Sequence, residues 1–208
     1  MAVVVVGGHS RSVGKTSVVA GLIAALPTYN WTAFKVTQFG HGRCSLNGRP
    51  CQCETADHSW AITEEKSFSG ESDSSRFLVA GAQHSYWVRT AQGQLAKAVP
   101  AILRRINEAE NVILESNSIL KFIQPDLYLT VLDPATEDFK ASAHQFLNRA
   151  DAIILHDAER DPRWAEVSLE RENSAARVFR LNPPPYVNDE VVDFVEARLQ
   201  SVSAARQP

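Results

Sequence analysis

The run Gly8-His9-Ser10-Arg11-Ser12-Val13-Gly14-Lys15-Thr16 contains the residue types needed to hold a phosphate chain. Anions bind at a helix N-terminus because the first backbone N–H groups lack intrahelical partners and the helix dipole is positive there. Glycine at both ends of the run, Gly8 and Gly14, lets the backbone curl around the anion without a Cβ clash. Lys15 is placed to reach the β and γ phosphates of a nucleotide, and the Thr16 hydroxyl to ligate Mg²⁺. Ser10, Arg11, Ser12, Val13 and Ser17 complete the expected cradle. Arg11 could stabilise charge on a transferring phosphoryl group or equally point to water. The common spacing is G-x4-G-K-[ST]; here His9 stands where the first glycine is expected, and the gap from Gly8 is five.

Mg²⁺ takes oxygen ligands and keeps some of its waters, so one or two carboxylates beside Thr16 suffice. Glu115 is the first candidate, because it closes an apolar run that reads as a strand, and ligands in parallel sheets lie at the carboxyl ends of strands. Glu54, Asp57 and Asp73 are weaker candidates, each read more readily as a solvated charge. Lys35 ends another strand pattern, where its ammonium could meet phosphate or a carboxylate substrate, although a lone lysine there reads more readily as solvated surface. No N-K-x-D occurs to mark a guanine pocket, and no G-x-S-x-G marks a hydrolase nucleophile, so ATP and GTP both stay open. His41, Cys44, Cys51, Cys53 and His58 form a separate group of soft ligands, H-x2-C-x6-C-x-C-x4-H. Cys44, Cys51, Cys53 and His41 could hold tetrahedral Zn²⁺, although the spacing is not a familiar C-x2-C pair and also fits free thiols.

Positioning the phosphate loop requires a strand before it and a helix after it. Apolar, β-branched runs predict strands over 3–6, 32–36, 85–89, 112–114, 127–132, 152–155 and 177–180. Helical spacing predicts helices over 15–26, 74–82, 92–109, 139–149, 162–170 and 188–201. In the first of these, Val18, Val19, Leu22, Ile23 and Leu26 form one buried stripe. Continuously apolar strands alternating with helices argue for a three-layer α/β/α fold with a mostly parallel sheet of about seven strands. The chain reads as a single nucleotide-binding domain over 1–208. Residues 38–71, rich in Gly, Ser, Cys and His, read as an irregular insertion near the active site.

Bulk properties narrow the classes further. The 208 residues are 44% hydrophobic and 22% charged, the composition of an ordinary globular domain. A net charge of -3 gives no electrostatic basis for binding nucleic acid or an anionic membrane. No apolar run approaches the roughly 18 residues that a spanning helix needs. Residues 2–6 are apolar but lack a basic lead-in, which favours a buried strand over a leader. Three cysteines are too few for a disulfide framework, so a reducing, cytoplasmic location is expected.

The five-residue gap with Val13 before Gly14-Lys15-Thr16 resembles the G-T-D-T-x-V-G-K-T loop of dethiobiotin synthetase, and Phe34-Lys35-Val36 is similar to the Lys-Pro-Val of that enzyme. Asp73-Ser74-Ser75-Arg76 with Ala80-Gly81-Ala82 resembles the D-S-x-R…A-G-A segment of molybdopterin-guanine dinucleotide biosynthesis protein B. In that family a later strand ends in V-E-G, where this chain has Ile113-Leu114-Glu115-Ser116-Asn117. Both families belong to the P-loop NTPases. The resemblance implies an Mg²⁺-dependent ATP- or GTP-binding protein, a hydrolase or accessory enzyme in molybdenum-cofactor or related cofactor biosynthesis, with Lys15, Lys35 and Glu115 as catalytic residues. It leaves two alternatives, an ATP-dependent ligase and a non-catalytic nucleotide switch. It also implies a small-molecule or protein partner and is compatible with a homodimer.

Overall fold

A continuous apolar run that ends in two glycines folds as β1 (Val3–Gly8), an interior strand of an eight-stranded sheet. This computed structural model describes residues 1–39, 59–156, 161–164 and 167–206. The other strands are β2 (Trp31–Phe39), β3 (Trp60–Glu64), β4 (His84–Ala91), β5 (Asn111–Glu115), β6 (Leu127–Leu132), β7 (Ala152–His156) and β8 (Arg177–Leu181). They lie in the order β3-β4-β2-β5-β1-β6-β7-β8. Neighbours are parallel throughout, except that β3 runs antiparallel to β4 at one edge.

Residues on β1 alternate between two cores, as side chains on a strand must. Val4 and Val6 pack with α1 (Lys15–Ala25) and α6 (Asp189–Ala205), through Val18, Leu22, Ile23, Val191, Val195 and Leu199. Phe77 of α2 (Asp73–Val79) joins this face. Val5 faces the other way, onto Leu95, Ala98, Ile102 and Ile106 of α3 (Leu95–Glu108). Helices therefore cover both faces of the sheet, which explains why β1, β5 and β6 are apolar without alternation. A smaller cluster, Leu132, Leu147, Ile153, Leu155 and Trp164, closes the end of the sheet near α4 (Ala141–His144) and α5 (Leu169–Glu172).

Each of the seven expected strands lies within an observed one. The eighth, β3, falls inside the stretch 38–71 that reads as irregular, and Gln38 and Phe39 of that stretch extend β2. Trp60–Glu64 is an edge strand, partly exposed on both faces, so it carries no alternation; its pairing with β4, Ile62 opposite Val88, makes it a strand. The expected helix over 162–170 is replaced, among the described residues, by irregular chain and the single turn Leu169–Glu172, because Trp164 is a core plug rather than one stop on a helical stripe. Likewise, 139–149 forms one α turn and a short 3-10 turn, Leu147–Arg149.

Candidate functional site

Strand register brings the first charged pair together. β2 and β5 are paired with Phe34 opposite Leu114 and Lys35 opposite Glu115, and Glu115 in turn lies opposite Val6 of β1. The Lys35 ammonium sits 2.6 Å from Glu115 Oε1, 2.6 Å from Asp73 Oδ2 and 3.3 Å from Thr16 Oγ1. Thr16 Oγ1 also donates to Glu115 Oε2 at 2.8 Å. Glu115 is only 3% exposed. Burial alone would lower the Lys35 pKa, but Glu115 and Asp73 outweigh it and hold the group above its ordinary value.

Two carboxylates and a hydroxyl thus converge on one cation, which is the hard-oxygen donor set that Mg²⁺ takes. Among the described residues no group of three or more His, Cys, Asp or Glu could hold a metal ion. An ion here would complete its shell with phosphate oxygens and water, as Mg²⁺ does in nucleotide sites. Asp73 is the residue that sequence reasoning underrated. It stands first in α2, whose capping box, with Ser72 and Ser75 bonding reciprocally, sets where the helix begins. Arg76, one turn on, donates to Ser17 Oγ at 3.0 Å and ties α2 to α1. Both residues belong to the Asp73-Ser74-Ser75-Arg76 motif.

The phosphate-loop residues sit between β1 and α1. Gly14 has φ 88°, a left-handed conformation that an L side chain adopts only with strain. A Cβ there would also lie 2.4 Å from the Tyr186 ring. Ser12 takes φ 57°, and Val13 is buried in the α1 face of the core. Lys15 folds back to donate to the Ser10 carbonyl. Burial, reinforced by Lys140 and Lys35 and opposed by Glu115 and Asp73, holds its ammonium at about 8. Asn117 anchors the start of the loop. Its Oδ1 accepts from the Gly8 N–H at 2.9 Å, and its Nδ2 donates to the Gly8 carbonyl at 2.8 Å. A Cβ on Gly7 would come 2.1 Å from that Oδ1, so β1 must end in glycine here. In the sequence Asn117 carries no role of its own beyond its place in the Glu115-Ser116-Asn117 strand end.

His9 does not face a phosphate. It is fully buried, against Phe139 and Trp164 with ring centroids 5.1 and 4.7 Å away. Its Nε2 accepts from the Asp133 N–H at 3.0 Å, so the proton is on Nδ1, which donates to the Asp138 carbonyl at 2.9 Å. Burial lowers its pKa, against the opposing pull of the Asp138 carbonyl and of Asp133. The His9 carbonyl accepts from the Lys140 N–H at 2.9 Å, and Ser10 Oγ donates to Asp138 Oδ2 at 2.6 Å. The segment between β6 and α4 is thereby bound to the phosphate loop.

A cleft of about 920 Å³ opens at the carboxyl ends of the strands. Arg11, Lys15, Lys35, Arg76, Lys121 and Lys140 face it, against Glu71, Asp73 and Glu115, so a chain of net charge -3 has gathered a cationic excess in one place. Gly8, Ser12, Gly14, Thr16 and Ser17 share this lining, while Ser10 and Val13 turn inward. Tyr186 also lines it beside Gly14, edge-on to His156 with centroids 5.4 Å apart. His156 Nε2 is buried and has no partner among the described residues. His41, Cys44, Cys51 and Cys53, expected to hold zinc, lie outside the described residues, as do Glu54, Asp57 and His58.

No protein-family model matches the sequence, and no curated protein matches it. Solved structures do. HypB from Helicobacter pylori, in complex with nickel, superposes with a TM-score of 0.52 at 14% identity, over 95% of this chain and 87% of its own. The hydrogenase maturation factor HypB from Archaeoglobus fulgidus gives a TM-score of 0.52 at 12% identity, over 94% of this chain and 89% of its own. Together with the strand order and the loop geometry, these likenesses establish an α/β chain with the P-loop NTPase fold. Among the described residues no helix is long and apolar enough to cross a membrane.

Proposed function

We propose that the chain binds a nucleoside triphosphate with Mg²⁺ on residues 8–16 and hydrolyses it, as an enzyme or accessory protein in cofactor biosynthesis similar to molybdopterin-guanine dinucleotide biosynthesis protein B. The observation that carries this reading is the convergence of Thr16, Asp73 and Glu115 oxygens on a single cation beside the Lys15 ammonium. When bound, Mg²⁺ would neutralise charge on the β and γ phosphates. The residues of the chain supply position and charge. Lys15 exchanges the Ser10 carbonyl for phosphate oxygens, Gly14 keeps the loop open to the anion, and Asn117 holds Gly8 in place. Lys35 orients both carboxylates. Such catalysis rests on positioning and electrostatics, with little covalent work for the protein.

Asp73 and Arg76 favour the molybdopterin-guanine dinucleotide protein B likeness over a dethiobiotin synthetase-like ligase. Both residues of the D-S-x-R motif reach the site, whereas Lys35 is engaged by two carboxylates rather than free to capture an acid substrate. Calorimetric titration with ATP and GTP, with and without Mg²⁺, tests the proposal on the wild type and on Lys15→Ala. Binding to the wild type that needs Lys15 and tightens with Mg²⁺ supports it. Absence of binding by the wild type overturns it.

A further inference from the structure

We infer that Lys140 is a further phosphate-binding residue, a cation for the terminal phosphate of the triphosphate, and that His9 and Ser10 are the positioning residues that hold it over the loop. The inference rests on the phosphate-site reading above and adds to it a residue remote from the loop in sequence.

Lys140 is delivered by the segment from Asp133 to Lys140, and that segment is bound to two consecutive loop residues through four hydrogen bonds. The Asp133 N–H and the Asp138 carbonyl take the two ring nitrogens of His9, the Lys140 N–H takes the His9 carbonyl, and the Asp138 carboxylate takes the Ser10 hydroxyl. Phe139 and Trp164 enclose the His9 ring, so the His9 side of the attachment is buried as well as hydrogen-bonded. The backbone of Lys140 thus moves with the phosphate loop.

The Lys140 side chain lines the same cleft as Arg11, Lys15 and Lys35. Among the described residues its ammonium has no acidic partner within salt-bridge reach, whereas Lys35 has two. Its surroundings disfavour a charge. Burial, followed by Arg11, lowers its pKa, with Asp138 opposing and Lys35 adding. Lys140 and Lys35 in turn lower that of Lys15. Six cations against three carboxylates in one half-buried cleft are a site for a highly charged anion. Lys140 enters the cleft beside the Lys15 ammonium, because Lys15 donates to the Ser10 carbonyl and the Lys140 N–H to the neighbouring His9 carbonyl, and Lys15 is the residue placed to reach the β and γ phosphates. Lys140 therefore discriminates a triphosphate from a diphosphate.

The test compares calorimetric affinities of the β,γ-imido analogues of ATP and GTP with those of ADP and GDP, in Mg²⁺. Lys140→Met is expected to weaken the analogue about ten-fold, the value of one charge-assisted hydrogen bond, and to leave the diphosphate within about two-fold. Lys140→Arg is expected to keep the preference. His9→Asn, checked for folding by circular dichroism, is expected to lose the preference as Lys140→Met does, and a double variant to lose no more than either. If Lys140→Met weakens both ligands equally, or neither, the inference is overturned while the phosphate site stands. If a folded His9→Asn keeps the full preference, the positioning role is overturned. If the wild type binds no triphosphate, the phosphate-site reading falls and this inference with it.

Discussion

Lys35→Met removes the cation that compensates the buried Glu115 carboxylate. Glu115 is 3% exposed, and its two oxygens are engaged by Lys35 at 2.6 Å and the Thr16 hydroxyl at 2.8 Å. Breaking a buried pair from one side leaves an uncompensated charge, so the loss should be about 3–5 kcal/mol. Asp73 is 34% exposed at its side chain and water screens it, so its share is small. With a urea slope of roughly 2 kcal/mol per molar, the midpoint should fall by about 1.5–2.5 M. Glu115→Gln should cost less, about 1–2 kcal/mol, because Lys35 keeps Asp73. The double variant should recover part of the loss, with a coupling of about 2 kcal/mol, since no buried charge is then left alone. Urea unfolding followed by circular dichroism reads all four corners of the cycle. Mg²⁺ with nucleotide should narrow the deficit of Lys35→Met, because a bound cation replaces the missing ammonium. A Lys35→Met midpoint within about 0.5 M of the wild type, or a strictly additive double variant, would refute the reasoning.

Three other outcomes test separate parts of the site. Asn117→Ala strips the partners from both the N–H and the carbonyl of Gly8, and should cost about 2–4 kcal/mol in thermal unfolding while weakening triphosphate binding. Gly14→Ala forces a side chain into φ 88° and against Tyr186, and should cost about 1–2 kcal/mol from the backbone alone, measured by chemical denaturation. The third concerns pH. Folding lowers the His9 pKa below its ordinary 6.5, so beneath that value the unfolded chain binds a proton that the folded chain refuses. Stability should therefore be level in this respect above pH 6.5 and fall as pH drops through it. Asp133, Asp138 and Lys15 face the ring and set how far the window extends. His156, also lowered by burial, adds to the same slope, so His9→Asn should flatten the profile of unfolding midpoints between pH 7 and 5 only in part.

Much of the architecture was legible because the parallel strands of this sheet are buried on both faces. Residues 3–6 and 112–114 are apolar without interruption, 127–132 is broken only by Thr130, and the phosphate loop is a local unit of strand, turn and helix. The signals fail where the surroundings decide. Trp60–Glu64 becomes a strand only because β4 offers it an edge, and Trp164 leaves a helical pattern to fill the cluster beside His9. His9 itself reads as a departure from the common loop spacing. Its meaning depends on Asp133, Asp138 and Phe139, all more than a hundred residues away in the chain.

By itself the sequence offered the residues with chemistry, Lys15, Thr16, Lys35 and Glu115, and read Lys15 and Thr16 at the start of a helix and Glu115 at the end of a strand; Lys35, read as a strand end, lies within β2. It did so because hydrophobic period and glycine placement are local properties. Only the tertiary structure decided which of them meet. Lys35 opposes Glu115 because β2 pairs with β5 in a register that seats Phe34 beside Leu114 in the core, and a slip of β2 by one residue would turn Lys35 to the face opposite Glu115. Asp73, Asn117 and Lys140 join the site through a helix cap, a strand-end turn and a segment bound to His9. Those contacts, Asp73 to Lys35, Asn117 to Gly8 and Lys140 to His9, span 38 to 131 residues of chain and stabilise nothing until the sheet is assembled, so no short stretch of sequence could record them.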